Sequence, residues 1–296
     1  MNINAIFLTM CMVVVKKSQP YKVNAFDICM FRSFTNTILS IPVIYSSKKH
    51  PVRDVTSGLG STLVTRCFIG SFGFMMLVFE AMWLPVFIAQ TMNNTMPFFT
   101  SIFGFLVNGE KLRKEMLFCM IGCFAGVLIL NLFRPDKQNV KDFQNFNYGM
   151  ASAFSFIICG SMVAVLNRKM KSIHFSIIQF DYALFAWLSM LVVISVEYLL
   201  LKDDKQRYPY DTLRILNYDL HQWYFLFMYA AANFLVQFSF NIGSTRGKSA
   251  FVSLIAQIGV VWSFLADTFI VGTSTQPMQI LGALIIVGFN VTAVLI

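Results

Sequence analysis

Hydrophobic residues fall in long runs along the whole chain, and short polar segments separate these runs. A run of about 20 apolar residues is long enough to cross the hydrocarbon core of a bilayer as a helix. The pattern predicts ten such spans, at residues 3–15, 26–45, 63–81, 86–107, 116–133, 147–166, 175–201, 223–242, 249–271 and 277–296. The first is either a stunted span or the product of a truncated chain start, because thirteen residues form a helix of only about 20 Å.

The polar connections between these runs are too short to fold separately, so we expect one all-α membrane domain. The connection at residues 136–146 separates five spans in residues 1–135 from five more in residues 147–296. An odd number of spans in each half requires any structural repeat to be inverted in the membrane. Gly109 and Gly272 occupy matching places at the ends of spans four and nine. The sequence therefore predicts ten transmembrane helices in two inverted five-helix repeats.

Composition supports the membrane interpretation and excludes several other classes of protein. The chain is 57% hydrophobic and 12% charged, whereas a soluble domain carries roughly 25% charged residues. The net charge of +9 lies mainly in connections, where Lys and Arg anchor helix ends and meet lipid headgroups, so no nucleic acid partner is expected. The six cysteines lie in or beside apolar runs and the three histidines lack ligand spacing. We expect no metal, no cofactor and no disulfide framework.

Polar side chains inside the spans are the candidate functional residues, because such groups are costly in hydrocarbon and usually face a bundle interior or a water-filled cavity. Span four carries a stripe at helical spacing, and spans eight and nine carry polar residues at similar spacing. One alternative is that these amides only join neighbouring helices by hydrogen bonds. The other, which we favour, is a shared cavity in which a substrate is bound by Gln90, Asn94, Asn233, Gln237, Asn241 and Gln257. Asn93 lies at the edge of the first stripe, and its replacement is expected to matter less than that of Asn94.

Charged residues and one proline inside the spans supply further candidates. Glu80 lies among apolar residues and is expected to carry a proton or to bind a cation, unless it is only a carboxylate at a helix end before Pro85. Arg66, at the opposite end of span three, is expected to reach the membrane interface. Pro97 is expected to act as a hinge. The remaining embedded charges are candidates for coupling or for internal ion pairs: Asp181, Asp267 and Arg32.

Several motifs carry a family resemblance. Residues 66–135 resemble the EamA repeat of the drug/metabolite transporter superfamily, particularly eukaryotic solute carrier family 35 members of the G type. The resemblance rests on Arg66, on the segment PFFTSIFGFLVNGE and on a glycine-bearing fifth span that ends in LNLFRP. The second half matches through QIGVVWSFLADTFIVG and ILGALIIVGFNVTAVLI. The resemblance implies two inverted repeats, cytosolic termini, a cavity lined by spans one to four and six to nine, and alternating access.

We therefore expect a secondary transporter of a small polar solute, such as a metabolite, a nucleotide-related compound or an amino-acid-like compound. The alternative is a transport-inactive membrane scaffold or regulatory subunit with the same fold, which the short first span supports. No nucleophile and base stand at usable spacing, so an enzyme is not expected. The expected environment is a plasma membrane or endomembrane of a eukaryote. The expected partners are the solute, coupled protons, the lipid bilayer and a second copy of the chain.

Overall fold

The computed structural model describes residues 2–48, 50, 55, 58–109, 115, 118–119, 121–122, 125–126, 128–129, 140–201, 214–246, 258–272 and 277–295. Every regular element among these residues is a helix. The α-helices are α1 Asn2–Ser18, α2 Ala25–Ser46, α3 Gly60–Trp83, α4 Val86–Asn93, α5 Met96–Asn108, α6 Val140–Lys169, α7 Phe175–Leu201, α8 Leu220–Arg246, α9 Ile258–Ala266 and α10 Pro277–Leu295. A π-helix, Asp267–Val271, continues α9, and 3₁₀ turns occupy Gln19–Tyr21 and Arg214–Asn217.

Four of the described helices are long and apolar enough to cross a membrane, namely α2, α3, α6 from Asn145 onwards, and α7. Shorter apolar stretches lie at Trp262–Val271 and Ile280–Phe289. Large apolar side chains such as Phe68, Val192 and Leu200 are exposed on the outside of the bundle, as expected of a surface that contacts lipid tails. These features make the chain a multi-pass integral membrane protein.

The helices differ from the predicted spans at several ends. α1 has 17 residues, which is about 25 Å of helix, so it is longer than the predicted first span. α6 begins at Val140 and takes up part of the segment predicted to connect the two halves. Its first turns are polar, so the helix extends past the apolar run. Most of the predicted fifth span and residues 249–257 of the ninth lie outside the described residues.

Helix pairing across the middle of the chain builds the core. α3 packs most extensively on α6, α2 on α7, and α1 on α8. The α3–α6 contact is close because Gly73 faces Cys159, and a Cβ on Gly73 would lie 2.6 Å from the Cβ of Cys159. Small residues at helix crossings allow such close approach in membrane bundles.

Two breaks in the backbone set the position of α4. Leu84 is extended, with ψ 151, and Pro85 precedes the first residue of α4. A residue before proline favours this extended conformation, so α3 ends here and a separate helix, α4, begins after Pro85. At the other end of the fourth span, α5 ends at Gly109 with φ 68, and the π-helix after α9 ends at Gly272 with φ 80. Both glycines occupy the left-handed region that other residues rarely adopt.

Candidate functional site

The fourth predicted span is interrupted near the middle of the bundle. α4 ends at Asn93, Asn94 and Thr95 form a turn, and α5 starts at Met96. The Thr95 N–H donates to the Met92 carbonyl at 2.9 Å, three residues back, instead of to the residue four back. Pro97 has no N–H to donate to the carbonyl of Asn93, which weakens helical continuity at this point. The break thus lies directly before the residue that we expected to be a hinge.

Contacts of α6 give the depth of this break. Ser161 donates from Oγ to the Met96 carbonyl at 3.0 Å. Cys159, two residues earlier on α6, lies against Gly73 near the middle of α3. Phe74 follows Gly73 on α3, and the guanidinium of Arg32 lies over its ring. The helix break and the Arg32 guanidinium therefore lie at similar depths in the bundle.

Three amide side chains of the fourth span are buried in this region: Gln90, Asn93 and Asn94. Within the described part of the chain, Gln90 Oε1, Asn94 Nδ2 and both amide atoms of Asn93 have no hydrogen-bond partner. Leaving a buried polar group unsatisfied costs about 1–3 kcal/mol. Atoms of this kind are suited to a ligand or to water that enters the bundle.

Glu80 is fully buried on α3, with 0% of its surface exposed. Neither carboxyl oxygen has a hydrogen-bond partner among the described residues. The Asn93 side chain lies close enough to interact with it. Glu80 is therefore not a solvated carboxylate at a helix end, although α3 ends only three residues later at Trp83.

Arg32 of α2 is the centre of a second polar cluster, and 1% of its surface is exposed. Its Nη1 donates to Asn233 Oδ1 at 3.3 Å, and its Nη2 donates to Ser33 Oγ at 3.1 Å and to the Tyr182 hydroxyl at 3.2 Å. The guanidinium carbon lies 3.3 Å from the centre of the Phe74 ring. All of these neighbours are uncharged.

Arg66 belongs to the interior as well, contrary to the prediction that it reaches the membrane interface. It is buried, its Nε donates to Asn167 Oδ1 at 3.1 Å, and its guanidinium lies 4.6 Å from the centre of the Tyr182 ring. Asp181 is close enough to attract it electrostatically. An amide, an aromatic ring and a carboxylate thus surround the guanidinium, so it has no need to reach the interface.

Asp267 links the two halves of the chain. Its Oδ2 accepts a hydrogen bond of 2.6 Å from the Phe87 N–H in the first turn of α4. A carboxylate at this place satisfies a backbone donor and interacts favourably with the helix dipole. Lys16 of α1 donates to the Met82 carbonyl at 3.0 Å and interacts electrostatically with Asp267. These contacts give Asp267 a structural role in positioning α4.

The structure divides the predicted solute-binding residues into separate groups. Gln90 and Asn94 lie on the fourth span, whereas Asn233 on α8 accepts hydrogen bonds from Arg32 and Asn36 of α2. Gln237 is half-buried one turn further along α8. Two predicted positions cannot be placed by side-chain contacts: the Asn241 side chain and the whole of Gln257 lie outside the described residues.

Several residues of the Arg32 cluster were missed by the sequence analysis. Arg32, Asn36 and Ser40 recur every four residues on α2 and are buried. This spacing puts them on one helix face, so the stripe could have been recognised. Tyr182 carried no such signal, because an aromatic residue in an apolar span is usually a packing residue.

Comparison with known proteins agrees with the fold. Residues 1–132 match the EamA-like transporter family. A solved structure, described only as a crystal structure of a protein, aligns with 99% of this chain and 95% of its own, with a TM-score of 0.65 and 15% identity. At this identity the likeness concerns the fold alone. The curated proteins give no significant match. The predicted resemblance to the drug/metabolite transporter superfamily is confirmed through residues 1–132.

Proposed function

We propose that this multi-pass membrane protein, whose residues 1–132 match the EamA-like transporter family, is a secondary transporter that moves a small polar solute by alternating access. One observation carries the proposal: four buried side chains beside the break in the fourth span keep polar atoms without partners, namely Glu80, Gln90, Asn93 and Asn94. A polar solute that enters the bundle supplies those partners. It can leave again because each contact is a single hydrogen bond of modest net strength.

The second part of the proposal is that residues 1–135 and 147–296 are inverted repeats joined by residues 136–146. Helix contacts support this symmetry. Three contacts have a counterpart in the other half. The α1–α8 contact matches the α3–α6 contact, the α2–α8 contact matches the α3–α7 contact, and the α1–α9 contact matches the contact of the fourth span with α6. Each pair of contacts is interchanged when the first and second halves are exchanged. The α2–α7 and α4–α9 contacts map onto themselves. A two-fold axis in the membrane plane would produce this arrangement.

Alternating access requires an element that changes its position around the bound solute. The fourth span suits this role, because its two helical pieces meet at Asn94 and Thr95 and hydrogen bonding is already weakened before Pro97. Gln90 and Asn94 lie on either side of the end of α4. A small rotation of α4 would therefore move two solute contacts at once. Asn233, Gln237, Asn241 and Gln257 complete the proposed site from the second half.

Glu80 is the coupling group in this proposal. A fully buried carboxyl that lacks hydrogen-bond partners can bind a proton or a cation in one state of the cycle and release it in another. The Asn93 amide is placed to stabilise the ionised form when it appears. We place the protein in a plasma membrane or endomembrane, with both termini on the cytosolic side. We also propose that it assembles as a homodimer.

The test is uptake by purified protein in proteoliposomes over a panel of nucleotides, nucleotide sugars, amino acids, purines and organic acids. We expect saturable uptake of at least one solute and a tenfold or larger loss on Asn94→Ala. Asn217→Ala, at an exposed position before α8, is the matched control and should leave uptake unchanged. If a well-folded preparation moves no solute, the transport-inactive scaffold replaces the transporter as the better explanation.

A further inference from the structure

The Arg32 guanidinium is a buried cation whose hydrogen bonds all go to neutral groups. A buried arginine is usually stabilised by a carboxylate, because removing a charge from water is costly and amides or hydroxyls compensate only in part. Here the hydrogen-bond acceptors are an asparagine, a serine and a tyrosine. The Nε atom of Arg32 has no hydrogen-bond partner in the described part of the chain. The cluster therefore contains a positive charge and a donor that its own side chains leave unused.

The acidic side chains of the described spans do not supply the missing negative charge. Each acid whose side chain is described there has another neighbour: Arg214 for Asp27 and Glu197, the Phe87 N–H for Asp267, Arg66 for Asp181 and Asn93 for Glu80. Arg32 makes no salt bridge with any acid among the described residues, and its guanidinium lies over the face of the Phe74 ring. The counter-ion is therefore absent from this part of the protein.

A second cation increases the positive potential at the same place. The Arg66 guanidinium lies 4.6 Å and the Arg32 guanidinium 5.6 Å from the centre of the Tyr182 ring. Two like charges around one buried ring repel each other in a medium of low dielectric constant. An anion that enters beside them relieves this repulsion. Asp181 lies near Arg66, so Arg32 is the cation with more unused capacity.

The position of the cluster connects it with transport. Arg32 lies over Phe74, at the depth of the break between α4 and α5. Asn233, which we placed in the solute site, accepts hydrogen bonds from Arg32 and from Asn36. Asn36 Oδ1 has no partner of its own in the described residues. A solute there would meet a cationic donor and an amide acceptor side by side.

We propose that the transported solute carries a carboxylate or a phosphate group and that Arg32 binds this group. The inference rests on the proposed transport function and narrows its substrate class to organic anions. The planar guanidinium suits both groups, because carboxylate and phosphate oxygens match its paired N–H donors. Asn36 and Asn233 would contact a hydroxyl or amide elsewhere on the same solute. Tyr182 then orients Arg32 through the hydrogen bond to its hydroxyl.

The experiment compares matched anionic and neutral solutes with the full chain in proteoliposomes and, for binding, in detergent. Succinate with succinamide and glutamate with glutamine form the carboxylate arm. Glycerol 3-phosphate with glycerol and uridine monophosphate with uridine form the phosphate arm. We expect the anionic member of at least one pair to be taken up at least tenfold faster and to raise the unfolding temperature. The arm that responds identifies the anionic group.

Variants then test whether Arg32 is responsible. Arg32→Gln should remove the preference for the anionic member, whereas Arg32→Lys should retain part of it because the charge remains. Lys17→Gln is the control, since it removes a positive charge at an exposed position of α1. The pair comparison on the unmodified protein stands even if Arg32→Gln fails to fold. Tyr182→Phe, which keeps both charges, should weaken the preference less than Arg32→Gln does.

The outcomes separate this inference from the proposed function. Uptake of neutral members at equal or higher rates would overturn the anion inference and leave the transporter proposal intact. An anion preference that survives in a folded Arg32→Gln variant would overturn the assignment to Arg32. If no member of any pair binds or moves, and the wider panel also fails, both proposals are overturned together.

Discussion

Arg214 donates from Nε to Asp27 Oδ2 at 2.9 Å, and this contact joins the turn before α8 to the first turn of α2. Its Nη2 lies 3.1 Å from Glu197 Oε2 on α7. The Tyr218 hydroxyl donates to the same Asp27 oxygen. One cluster therefore holds three helices together at one end of the bundle. Burial opposes the charge of Arg214, but the hydrogen bonds and charges of Asp27 and Glu197 outweigh this and raise the pKa of Arg214.

Removing the arginine should weaken the fold. Arg214→Gln would leave Asp27, of which 1% is exposed, buried without its counter-ion. We expect the free energy of unfolding to fall by about 3 kcal/mol, measured by denaturation in detergent, while Lys17→Gln has no effect. In a double-mutant cycle, Asp27→Asn with Arg214→Gln should lose less stability than the two single changes added together. Additive losses would mean that the two residues do not interact.

Tyr218 should make the fold sensitive to alkaline pH. Burial and then the charge of Asp27 raise the pKa of Tyr218 above its ordinary value. The group therefore contributes its full stability below the ordinary phenol pKa of about 10 and loses it as the pH rises through the raised value. Tyr218→Phe should have a flatter alkaline decline in unfolding temperature, and about 1 kcal/mol less stability at neutral pH from the lost hydrogen bond. Tyr224→Phe, at an exposed position, should behave as the unmodified protein does.

Asp267 should act on α4 through its contact with the Phe87 N–H. Asp267→Ala removes the acceptor and is expected to lower stability by about 1 kcal/mol, the usual cost of losing a helix cap. Asp267→Asn keeps an oxygen acceptor, so its stability should lie between that of Asp267→Ala and that of the unmodified protein. Thr268→Ala, one residue later and exposed, is the control. Loss of uptake in Asp267→Asn without any change in stability would show instead that the charge takes part in transport.

The pair of Glu80 and Asn93 should control the pH dependence of uptake. We expect Glu80→Gln to abolish the response to an imposed proton gradient without loss of stability, because an amide is easier to bury than a carboxylate. Asn93→Ala should shift the pH profile, whereas Asn94→Ala should lower uptake at every pH. An unchanged profile in folded Glu80→Gln would remove the coupling role.

The contact between α3 and α6 should not tolerate a larger residue at Gly73. A Cβ there would lie 2.6 Å from the Cβ of Cys159, so we expect Gly73→Ala to cost about 1–3 kcal/mol of stability. Gly60→Ala is the matched control on the same helix, because a Cβ at Gly60 meets nothing within 4 Å. Cys159→Gly in the Gly73→Ala background should restore part of the loss. No loss in Gly73→Ala would mean that the helices separate easily.

The apolar runs were sufficient to predict the four long apolar helices α2, α3, α6 and α7, because a helix is the simplest way to satisfy backbone hydrogen bonds in lipid. Gly109 and Gly272 were also informative, since a left-handed residue that ends a helix is usually a glycine. The break at Asn94 and Thr95 followed from Pro97, whose missing N–H is evident from the sequence. These features depend on local chemistry, and so they could be predicted locally.

Pairings between distant residues could not be predicted in the same way. Arg66 was expected at the interface, but Tyr182 and Asn167, more than 100 residues away, surround it in the interior. The proximity of the Asn93 amide to Glu80 was not predicted either, and the expectation that Asn93 matters less than Asn94 stays a prediction. Helical spacing assigns a residue to a face and leaves open which helix that face meets. Only the packing of α3, α4, α6 and α7 places these groups together.

The hydrogen bond from Phe87 to Asp267 spans 180 residues of chain, and this separation has a consequence for biosynthesis. At about 5–20 residues per second, the ribosome needs roughly 10–35 s to reach Asp267 after it has made Phe87. During that interval the first turn of α4 is already synthesised while its cap does not yet exist. The first turn of α4 therefore gains its cap only after the ninth span has been made, and completion of α4 becomes a late step in the maturation of the protein.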